Sequence, residues 1–404
     1  MLSRFRNKKI PDIYLFISHF LDHFIILVFA KAAYDAGRDI GLTYGETIKL
    51  ATLGFILFGI ASPIAARVAD IFSRSITMVV FHFGIGISSI LISFSYTSLH
   101  LVLGLSSLGF FAAIFHPVGI AMLLETKERV GLRLGVNGLF GNMGVASAPL
   151  ITGIIIFYSD WKMAFLISGI ICIIYGILFA LALKPMELPS GASPKIKPEK
   201  FSYGWRQALL ALAISTTFGG FVFTAVTFLV PRYLELYMEN LMLSVAMTGL
   251  LASFVYAISS FSQVVVGWFI DRISPKIVLF IVSIGQIIFI YLASQFDGYK
   301  LLFFMTLAVC FVFGQIPIID AVMVRYVPDG WRNRVLSMKF VLNLGVGATV
   351  LPTCSFMLDK GYKLSELFSF LSLFSVIIVL ASILLPSHSS VSYTHLTLPT
   401  ISCV

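Results

Sequence analysis

The sequence predicts an all-α integral membrane protein with twelve transmembrane helices, arranged as two duplicated six-helix bundles. Of its 404 residues, 58% are hydrophobic and only 12% are charged, a balance that excludes an ordinary soluble globule. Apolar runs of about 20 residues recur along the chain, each long enough to cross a hydrocarbon core of roughly 30 Å. These runs lack the period-two alternation of barrel strands, and backbone groups in lipid must be satisfied within the segment. They are therefore predicted to be helices.

A repeated pattern divides the chain into halves. A charged loop at Asp70, between two apolar runs, has a counterpart at Asp271, which lies 201 residues later (271 minus 70). The same offset places Thr43 on Ser244, Arg133 on Arg334 and Gly144 on Gly345. Four matches in one register indicate an internal duplication, so each half must hold the same number of spans.

Taken in order, the apolar runs give six spans in each half. The predicted spans are 12–34, 46–66, 75–95, 99–124, 134–157 and 162–183, then 207–231, 244–269, 276–295, 300–325, 334–357 and 364–385. The N-terminal bundle then covers 1–183 and the C-terminal bundle 207–386, joined over 184–206 by a cytoplasmic linker rich in proline and lysine. The tail, 387–404, has no span-like run and no charged anchor, and we interpret it as non-native or disordered.

The basic residues are distributed unevenly between the two sides of the predicted spans. Most lysines and arginines fall on the side that holds the N-terminus and the linker. Cytoplasmic loops of membrane proteins carry this excess, so both termini are assigned to the cytoplasm. The same distribution explains the net charge of +9 without a nucleic-acid partner. Three of the four cysteines lie in apolar runs, which predicts no disulfide framework.

Twelve spans in two halves, with a charged loop after the second and eighth spans, resemble the major facilitator superfamily through Pro386. In that family the aspartate and nearby cations of these loops join the two bundles at the cytoplasmic side. The resemblance implies this gating role for Asp70, Arg74, Asp271, Arg272 and Lys276. The first copy departs from the pattern, since Ala66 and Ser73 replace glycines and Ile71 replaces a basic residue. Solvated loops that only set topology are the alternative.

Titratable side chains inside spans are costly and tend to face a cavity. His19, Asp22 and His23 share one face of the first span, at i, i+3 and i+4, and the fourth span carries His116 before Pro117. His19 and His116 both lie roughly 10–12 Å from the cytoplasmic ends of their spans, at about 1.5 Å per residue. The resemblance implies that the first and fourth spans line the central cavity of the N-terminal bundle, so we expect His19, His116 and Asp22 to meet there. These three residues and His23 are the N-terminal candidates for coupling proton movement to transport.

Two alternatives to this proton-coupling cluster remain open. The same side chains could be satisfied separately as bridges between helices. They could also hold a metal ion, but no further ligand motif accompanies them, so no metal is predicted. His82, which has no acidic neighbour in its own span, is assigned to packing.

Two short patterns resemble the fosmidomycin-resistance exporters of the superfamily. The first is Ser18-His19-Phe20-Leu21-Asp22, followed by Leu42-Thr43 before the second span. The second is Phe115-His116-Pro117, followed by a glycine-rich run through Asn142 in the fifth span. Val118 stands where an acidic residue commonly follows the proline, which leaves the identity of the substrate open.

The fifth span fits the antiporter pattern of the superfamily. It carries Gly135, Gly144, Pro149 and Gly153, with Ala148 and Thr152 in place of two glycines. Small residues allow a close approach to a neighbouring helix and proline bends the span. The resemblance implies that this bend seals the outer half against leak, whereas ordinary small-residue packing is the alternative. The usual arginine of the fourth span is absent, with Leu105 near its place, so coupling must use another group.

The second half is expected to supply the opposing wall of the cavity. In the seventh span hydroxyl groups lie beside Gly219 and Gly220 and among several phenylalanines. The candidate cavity residues are Thr217, Thr224, Gln315 and Asp320, with Thr216, Thr227, Lys339 and Asn343 nearby. Such an aromatic, weakly polar cavity suits an amphipathic or partly cationic organic solute.

Together these features predict a proton-coupled secondary transporter, an exporter that exchanges a proton for a small organic solute by alternating access in a bacterial inner membrane. A proton-coupled importer of a nutrient or siderophore is the first alternative. A non-transporting membrane sensor or binding protein is the second, although no segment is long enough for a soluble output domain. The chain has no phosphate-binding loop and no nucleophile–base pair, which argues against an enzyme. No cofactor is expected; the solute, protons and the lipid bilayer are the expected partners of a monomer.

Overall fold

The computed structural model describes residues 8–125, 130–185, 201–238 and 244–386. Most of the predicted linker and the whole tail, 387–404, lie outside these ranges. The described residues form twelve helices that are long and apolar enough to cross a membrane, which confirms the predicted fold class. They are α1 Asp12–Ile40, α2 Tyr44–Ile71, α3 Arg74–Ser93, α4 Ser98–Leu124, α5 Val130–Tyr158, α6 Trp161–Ala182, α7 Trp205–Tyr237, α8 Val245–Ile270, α9 Pro275–Gln295, α10 Gly298–Tyr326, α11 Asp329–Asp359 and α12 Leu364–Leu384.

Two of the helices are interrupted. The first turns of α2, Tyr44–Lys49, are followed by a short break before Thr52–Ile71. In α4 a π-helical turn, Phe115–Gly119, separates Ser98–Ala112 from Ile120–Leu124. π-Turns inside α-helices occur frequently at functional sites, and this one contains His116.

The predicted span limits differ from the structure by at most about five residues, as at the end of α2 and the start of α11, except at the ends of α1 and α7. α1 continues to Ile40 instead of residue 34, where Gly41 ends it with a φ of 81° in the left-handed region. α7 continues to Tyr237 instead of residue 231. The additional turns are rich in charged residues, so a limit based on hydropathy excludes them although the backbone remains helical.

The internal duplication is visible in local geometry. Thr43 caps the N-terminus of α2 by accepting a hydrogen bond from the backbone N–H of Glu46. Ser244, at the equivalent position in the second half, caps α8 by accepting one from the backbone N–H of Met247. Hydroxyl side chains at this position satisfy a backbone donor that a helix end leaves unpaired. The two halves thus begin their second helix in the same way.

The two faces of the molecule are named here from α1. Lys8–Lys9 pairs antiparallel with Lys184–Pro185, which brings the two ends of the N-terminal bundle to one face. We call this face, where α1 begins, the proximal face, and the face where α1 ends the distal face. The loops that contain Asp70 and Asp271 follow the ends of α2 and α8 and lie at the proximal face.

The close contacts that join the two bundles lie in the distal half of the molecule. α5 meets α8 where a Cβ atom added to Gly249 would lie only 2.3 Å from the carbonyl oxygen of Pro149. α2 meets α11 where a Cβ atom added to Gly45 would lie 2.8 Å from Oδ1 of Asp359. Ser253 of α8 also donates a hydrogen bond to the carbonyl oxygen of Ala146 in α5. The structure is therefore closed at its distal face.

Candidate functional site

The predicted titratable cluster forms within the N-terminal bundle. Asp22 is fully buried on α1, ten residues after Asp12 and so about 15 Å from the proximal end of the helix. Nε2 of His116 in α4 lies 3.5 Å from Oδ2 of Asp22. His19 and His23, one turn apart on α1, join the cluster with their Nε2 atoms 3.1 Å from each other. The contacts agree with the expected meeting of α1 and α4.

The π-turn of α4 positions the side chain of His116 in the cluster. Pro117 has no backbone N–H, so it cannot donate the hydrogen bond that a regular helix requires at this position. The chain accommodates this with the wider turn over Phe115–Gly119. Phe115 stacks on the ring of His19, with centroids 4.7 Å apart, and His116 meets the same ring edge-on at 5.4 Å.

The hydrogen bonds of His19 indicate which of its ring nitrogens carries the hydrogen. Nδ1 of His19 lies 2.7 Å from the carbonyl oxygen of Asn137 in α5, and a carbonyl can only accept. Nδ1 therefore carries the hydrogen and Nε2 of the neutral ring accepts, which makes the facing Nε2 of His23 the donor. A directional chain of hydrogen bonds thus runs from His23 through His19 to the backbone of α5.

Asp22 is the unusual member of the cluster. Neither of its carboxylate oxygens has a hydrogen-bond partner among the described residues. Burying an unpaired carboxylate is expensive, whereas pairing it with a cation or neutralising it with a proton reduces the cost. With the His116 imidazole 3.5 Å away, the pair can hold a proton in two ways, as a neutral acid beside a neutral ring or as a carboxylate beside an imidazolium.

Three of the histidines are close enough to be considered as metal ligands. One ring nitrogen from each of His19, His23 and His116 lies within 4.8 Å of the others. Imidazole nitrogens suit zinc, copper, iron and nickel, so a transition-metal ion could be held there. The expectation that no metal takes part stays a prediction.

The residues predicted for the opposing wall differ in their surroundings. Thr217 and Thr224 are half-buried and seven residues apart, so they share one face of α7. Asp320 of α10 forms an ion pair with Lys339 of α11 and its side chain is about half exposed. Lys339 in turn lies within electrostatic range of His116, across the boundary between the bundles.

Gln315 is held inside the C-terminal bundle. Its Nε2 donates to the carbonyl oxygen of Ser215 at 3.0 Å, and its Oε1 accepts from Gln286 at 2.8 Å. Gln286 also accepts from the Ser375 hydroxyl at 3.1 Å. The amide of Gln315 therefore links α7, α9 and α10, and its side chain is only 5% exposed.

The charged residues of the two proximal loops make their contacts within their own bundles. Arg74 pairs with Asp70 at 3.3 Å and with Glu125 at 3.0 Å. Arg272 lies over the ring of Trp268, and Lys276 donates to the carbonyl oxygen of Ile383. For Asp271 we find no ion pair within the described part of the chain. None of these contacts, all of which lie within the described part of the chain, joins one bundle to the other.

The small residues of α5 do not behave alike. A Cβ atom added to Gly144 would lie 2.2 Å from the carbonyl oxygen of Phe20 in α1, and one added to Gly153 would lie 2.8 Å from that of Val245 in α8. Pro149 approaches α8 at Gly249. Gly135, by contrast, has no atom of the described residues within 4 Å of an added Cβ atom. Three of the four predicted positions therefore serve close packing, one against α1 and two against α8.

A second group of charged residues, which sequence reasoning did not single out, joins the bundles near the distal face. We call Tyr34, Lys31, Arg232, Glu235 and Thr248 the distal charge cluster. Lys31 of α1 is 2% exposed and donates to Thr248 of α8 at 2.9 Å and to Glu235 of α7 at 3.4 Å. Arg232 pairs with Glu235 at 3.4 Å and lies 3.3 Å above the centre of the Tyr34 ring. The cluster ties α1 to α7 and α8.

One signal in the sequence could have revealed this cluster. Lys31 lies within the predicted first span, where charged residues are expensive and often functional. Arg232 and Glu235 fall just beyond the predicted end of the seventh span, in the turns that the structure adds to α7.

Comparison with known proteins identifies the family at the level of sequence. A sequence model described as the Major Facilitator Superfamily matches residues 15–352. The chain is 27% identical over 193 residues to a protein of Chlamydia muridarum named "Probable hexose phosphate transport protein", and 26% identical over 190 residues to the protein of the same name from Chlamydia trachomatis. The matches cover 47% and 46% of this chain but only 42% of either relative.

Solved structures agree with the fold over most of the chain. A bacterial homologue of the human lysosomal transporter Spinster, in an inward-facing and occupied conformation, has a TM-score of 0.73 at 13% sequence identity. It covers 92% of this chain and 95% of its own. A D-xylose-proton symporter has a TM-score of 0.72 at 14% identity and the same two coverages. Identities this low establish the fold alone.

Proposed function

Because this chain belongs to the Major Facilitator Superfamily, we propose that it is a proton-coupled secondary transporter that exports a small organic solute by alternating access. The observation that carries the proposal is the Asp22–His116 pair, a fully buried carboxyl 3.5 Å from an imidazole in the N-terminal bundle. A group that must be neutralised or paired when buried is suited to taking up and releasing a proton during a transport cycle.

The proposed cycle rests on the contacts that close the distal face. With the distal charge cluster and the α5–α8 contact formed, solute reaches the titratable cluster from the proximal face. Opening of the distal face requires Lys31 to leave Glu235 and Thr248, while the proximal loops come together through Asp70 and Asp271. In this proposal Arg74, Arg272 and Lys276 exchange their contacts within one bundle for contacts with the other.

In the proposed proton step, the proton and the solute compete for the site formed by Asp22 and His116. With the distal face open, the Asp22 carboxylate accepts a proton and solute leaves. With the proximal face open, solute binding near His116 favours departure of that proton from Asp22, so one proton enters as one solute leaves. Thr217 and Thr224 of the opposing wall contact the solute, and Asp320, which is paired with Lys339, is the second candidate for the proton.

Orientation and direction rest on three further observations. The excess of basic residues places the proximal face in the cytoplasm of a bacterial inner membrane. The sequence patterns around His19 and His116 resemble the fosmidomycin-resistance exporters. The close packing of Gly144 and Gly153 in α5 supports the antiporter pattern. We propose a monomer whose substrate is an amphipathic or partly cationic solute.

Import is the second candidate function. Among the structures similar to this chain is a D-xylose-proton symporter, and the two curated relatives are named as hexose phosphate transport proteins. A polar nutrient moving together with a proton would use the same buried carboxyl. The two directions differ in the sign of the proton movement that accompanies the solute.

The test is a transport assay that reports this sign. The chain is expressed in everted membrane vesicles, a pH gradient is imposed, and a panel of organic solutes is added while the internal pH is recorded. Exchange predicts that an added substrate dissipates the gradient by releasing protons from the acidic lumen. Proton movement in the same direction as the solute would replace the exporter with the importer, and a full panel without effect would contradict coupled transport of an organic solute.

A further inference from the structure

A lateral crevice opens at the distal face where the two bundles meet. It has a volume of about 610 Å³ and lies between α2, α4 and α11. No residue of the titratable cluster lines it. At its edge α2 and α11 are in contact, since a Cβ atom added to Gly45 would lie 2.8 Å from Oδ1 of Asp359. The crevice is therefore a site separate from the proposed transport pathway, and both bundles form its walls.

The crevice changes character with depth. Its rim is formed by Glu46, Lys49 and Asp359, and its interior by apolar residues such as Ile56 and Val102. Along α2 the rise from Lys49 to Ile56 is about 10 Å. Charged groups thus stand at the level expected for lipid head groups, and apolar groups at the level of the acyl chains.

The polar groups at the rim use only part of their capacity for hydrogen bonds and ion pairs within the described part of the chain. Lys49 forms no ion pair with any residue that the structure describes. Asp359 accepts one side-chain hydrogen bond, from Ser355 at 3.3 Å. The hydroxyl oxygen of Thr52, which lines the crevice, is buried without a partner among the described residues. Glu46 accepts hydrogen bonds from the backbone N–H and the hydroxyl of Thr43, both through Oε2. One cation, two carboxylates and a hydroxyl therefore surround a single slot.

An apolar path leads away from the crevice along α2. Leu53 lines the crevice and is 44% exposed. Ile60 and Ile64, seven and eleven residues further on, lie on the same side of the helix and are 63% and 55% exposed. An acyl chain that leaves the crevice would find a continuous apolar surface there.

We propose that the lateral crevice binds a zwitterionic phospholipid from the leaflet at the distal face. The phosphate lies at Lys49, the ammonium group lies between Glu46 and Asp359, and an acyl chain follows Leu53, Ile60 and Ile64. Opposite charges at one rim match a head group that carries both signs. Because α2 and α11 belong to different bundles, the bound lipid stabilises the conformation that is closed at the distal face.

The test is native mass spectrometry of the full chain, purified in detergent and offered dioleoyl phosphatidylethanolamine, dioleoyl phosphatidylglycerol or dioleoylglycerol. We expect one phosphatidylethanolamine to be retained, with less phosphatidylglycerol because it lacks the ammonium group, and least dioleoylglycerol. Lys49→Gln should lower the retained phosphatidylethanolamine by about fivefold. Lys300→Gln is the matched control, because Lys300 is an exposed lysine at the start of α10 that does not line the crevice.

Asp359→Asn provides an independent variant. Loss of this carboxylate should reduce the preference for phosphatidylethanolamine over phosphatidylglycerol while both lipids still bind. Equal retention of phosphatidylethanolamine and dioleoylglycerol would overturn the proposal, and so would an equal effect of the Lys49 and Lys300 substitutions. The assay measures no transport, so its outcome is independent of whether the chain exchanges protons for solute.

Discussion

Asp22 and His116 carry the proposed coupling because Asp22 is fully buried and the His116 imidazole lies 3.5 Å from its carboxylate. The Asp22 oxygens have no hydrogen-bond donor among the described residues, and His116 approaches from α4 through an interrupted helix. His82, in the same bundle, is satisfied differently: Nδ1 contacts the carbonyl oxygen of Met78 and Nε2 contacts the Ser18 hydroxyl. These two histidines therefore offer a direct comparison between a coupling role and a packing role.

Replacing His116 with glutamine should weaken coupling without abolishing it. Glutamine can donate a hydrogen bond to Asp22 but cannot accept a proton, and hydrogen bonds to charged groups contribute roughly 1.5–3 kcal/mol. We expect gradient-driven transport per folded molecule to fall by about tenfold, a loss of about 1.4 kcal/mol. His82→Gln is the control, with transport per folded molecule unchanged. Equal losses in the two variants would assign His116 to packing.

Part of the titratable cluster can be predicted from the sequence alone, and part cannot. The i, i+3, i+4 spacing on α1 and the matching depth of His116 predict the titratable cluster once the family resemblance places the first and fourth spans at the cavity. The π-turn that contains His116, and the hydrogen bond that orients His19 toward Asn137, depend on the packing of α4 and α5 against α1. Neither follows from local spacing. Gln315 was expected at the cavity, and its bonds to Ser215 and Gln286 depend on three helices meeting.

At the scale of elements, the glycines of α5 differ in whether a neighbouring helix packs closely against them. Gly144 has no room for a Cβ atom beside the Phe20 carbonyl, whereas a Cβ atom added to Gly135 would meet no described atom within 4 Å. Gly144→Ala should force α1 and α5 apart and destabilise the protein by about 1–3 kcal/mol, as overpacking does. Gly135→Ala should be neutral or slightly stabilising because alanine favours helix over glycine. Thermal unfolding in detergent checks both, and similar melting temperatures would contradict the packing described for Gly144.

The distal charge cluster makes a prediction about conformation. Glu235→Gln leaves the Lys31 ammonium buried without its carboxylate, and removing one partner of a buried pair typically costs 3–5 kcal/mol. Lys31→Met leaves Glu235 paired with Arg232 alone and removes the bonds that tie α1 to α7 and α8. Each single variant should therefore favour an open distal face, and the double variant should recover part of the closed population. Cys354 of α11, 3% exposed near that face, is the reporter, in a background whose other cysteines are replaced by serine.

We expect a membrane-impermeant maleimide to label Cys354 at least about tenfold faster in the single variants. Lys162→Met is the control, since it breaks a distal ion pair with Asp39 that lies within the N-terminal bundle. Labelling that rises equally in the control, or stays unchanged in all variants, would show that the cluster does not hold the bundles together.

The ends of α1 and α7 explain why this cluster is hard to predict. Hydropathy ends a span where charged residues begin, but the backbone continues as helix until Gly41 and Tyr237. Tyr34, Arg232 and Glu235 lie at or beyond the predicted limits, so they read as loop residues. Only the packing of one bundle on the other reveals that they face each other.

At the scale of the whole molecule, hydropathy and the 201-residue repeat were sufficient to predict twelve helices in two bundles. Hydrophobic length dictates which segments can cross a bilayer, and duplication dictates how many there must be. Neither determines which face is closed. That property depends on contacts between bundles, such as Gly249 with Pro149 and Lys31 with Glu235, whose partners are separated by about a hundred residues or more.

The most direct test of the proposed coupling is transport by Asp22→Asn in reconstituted vesicles, measured with and without a pH gradient. Asparagine keeps the size of the side chain and its hydrogen bonding but cannot carry a proton. We predict that uphill transport driven by the gradient is lost while solute exchange at equal pH continues. Asp39→Asn, on the same helix but paired with Lys162, should transport normally. Uphill transport by Asp22→Asn at the normal rate would contradict the account and direct attention to Asp320.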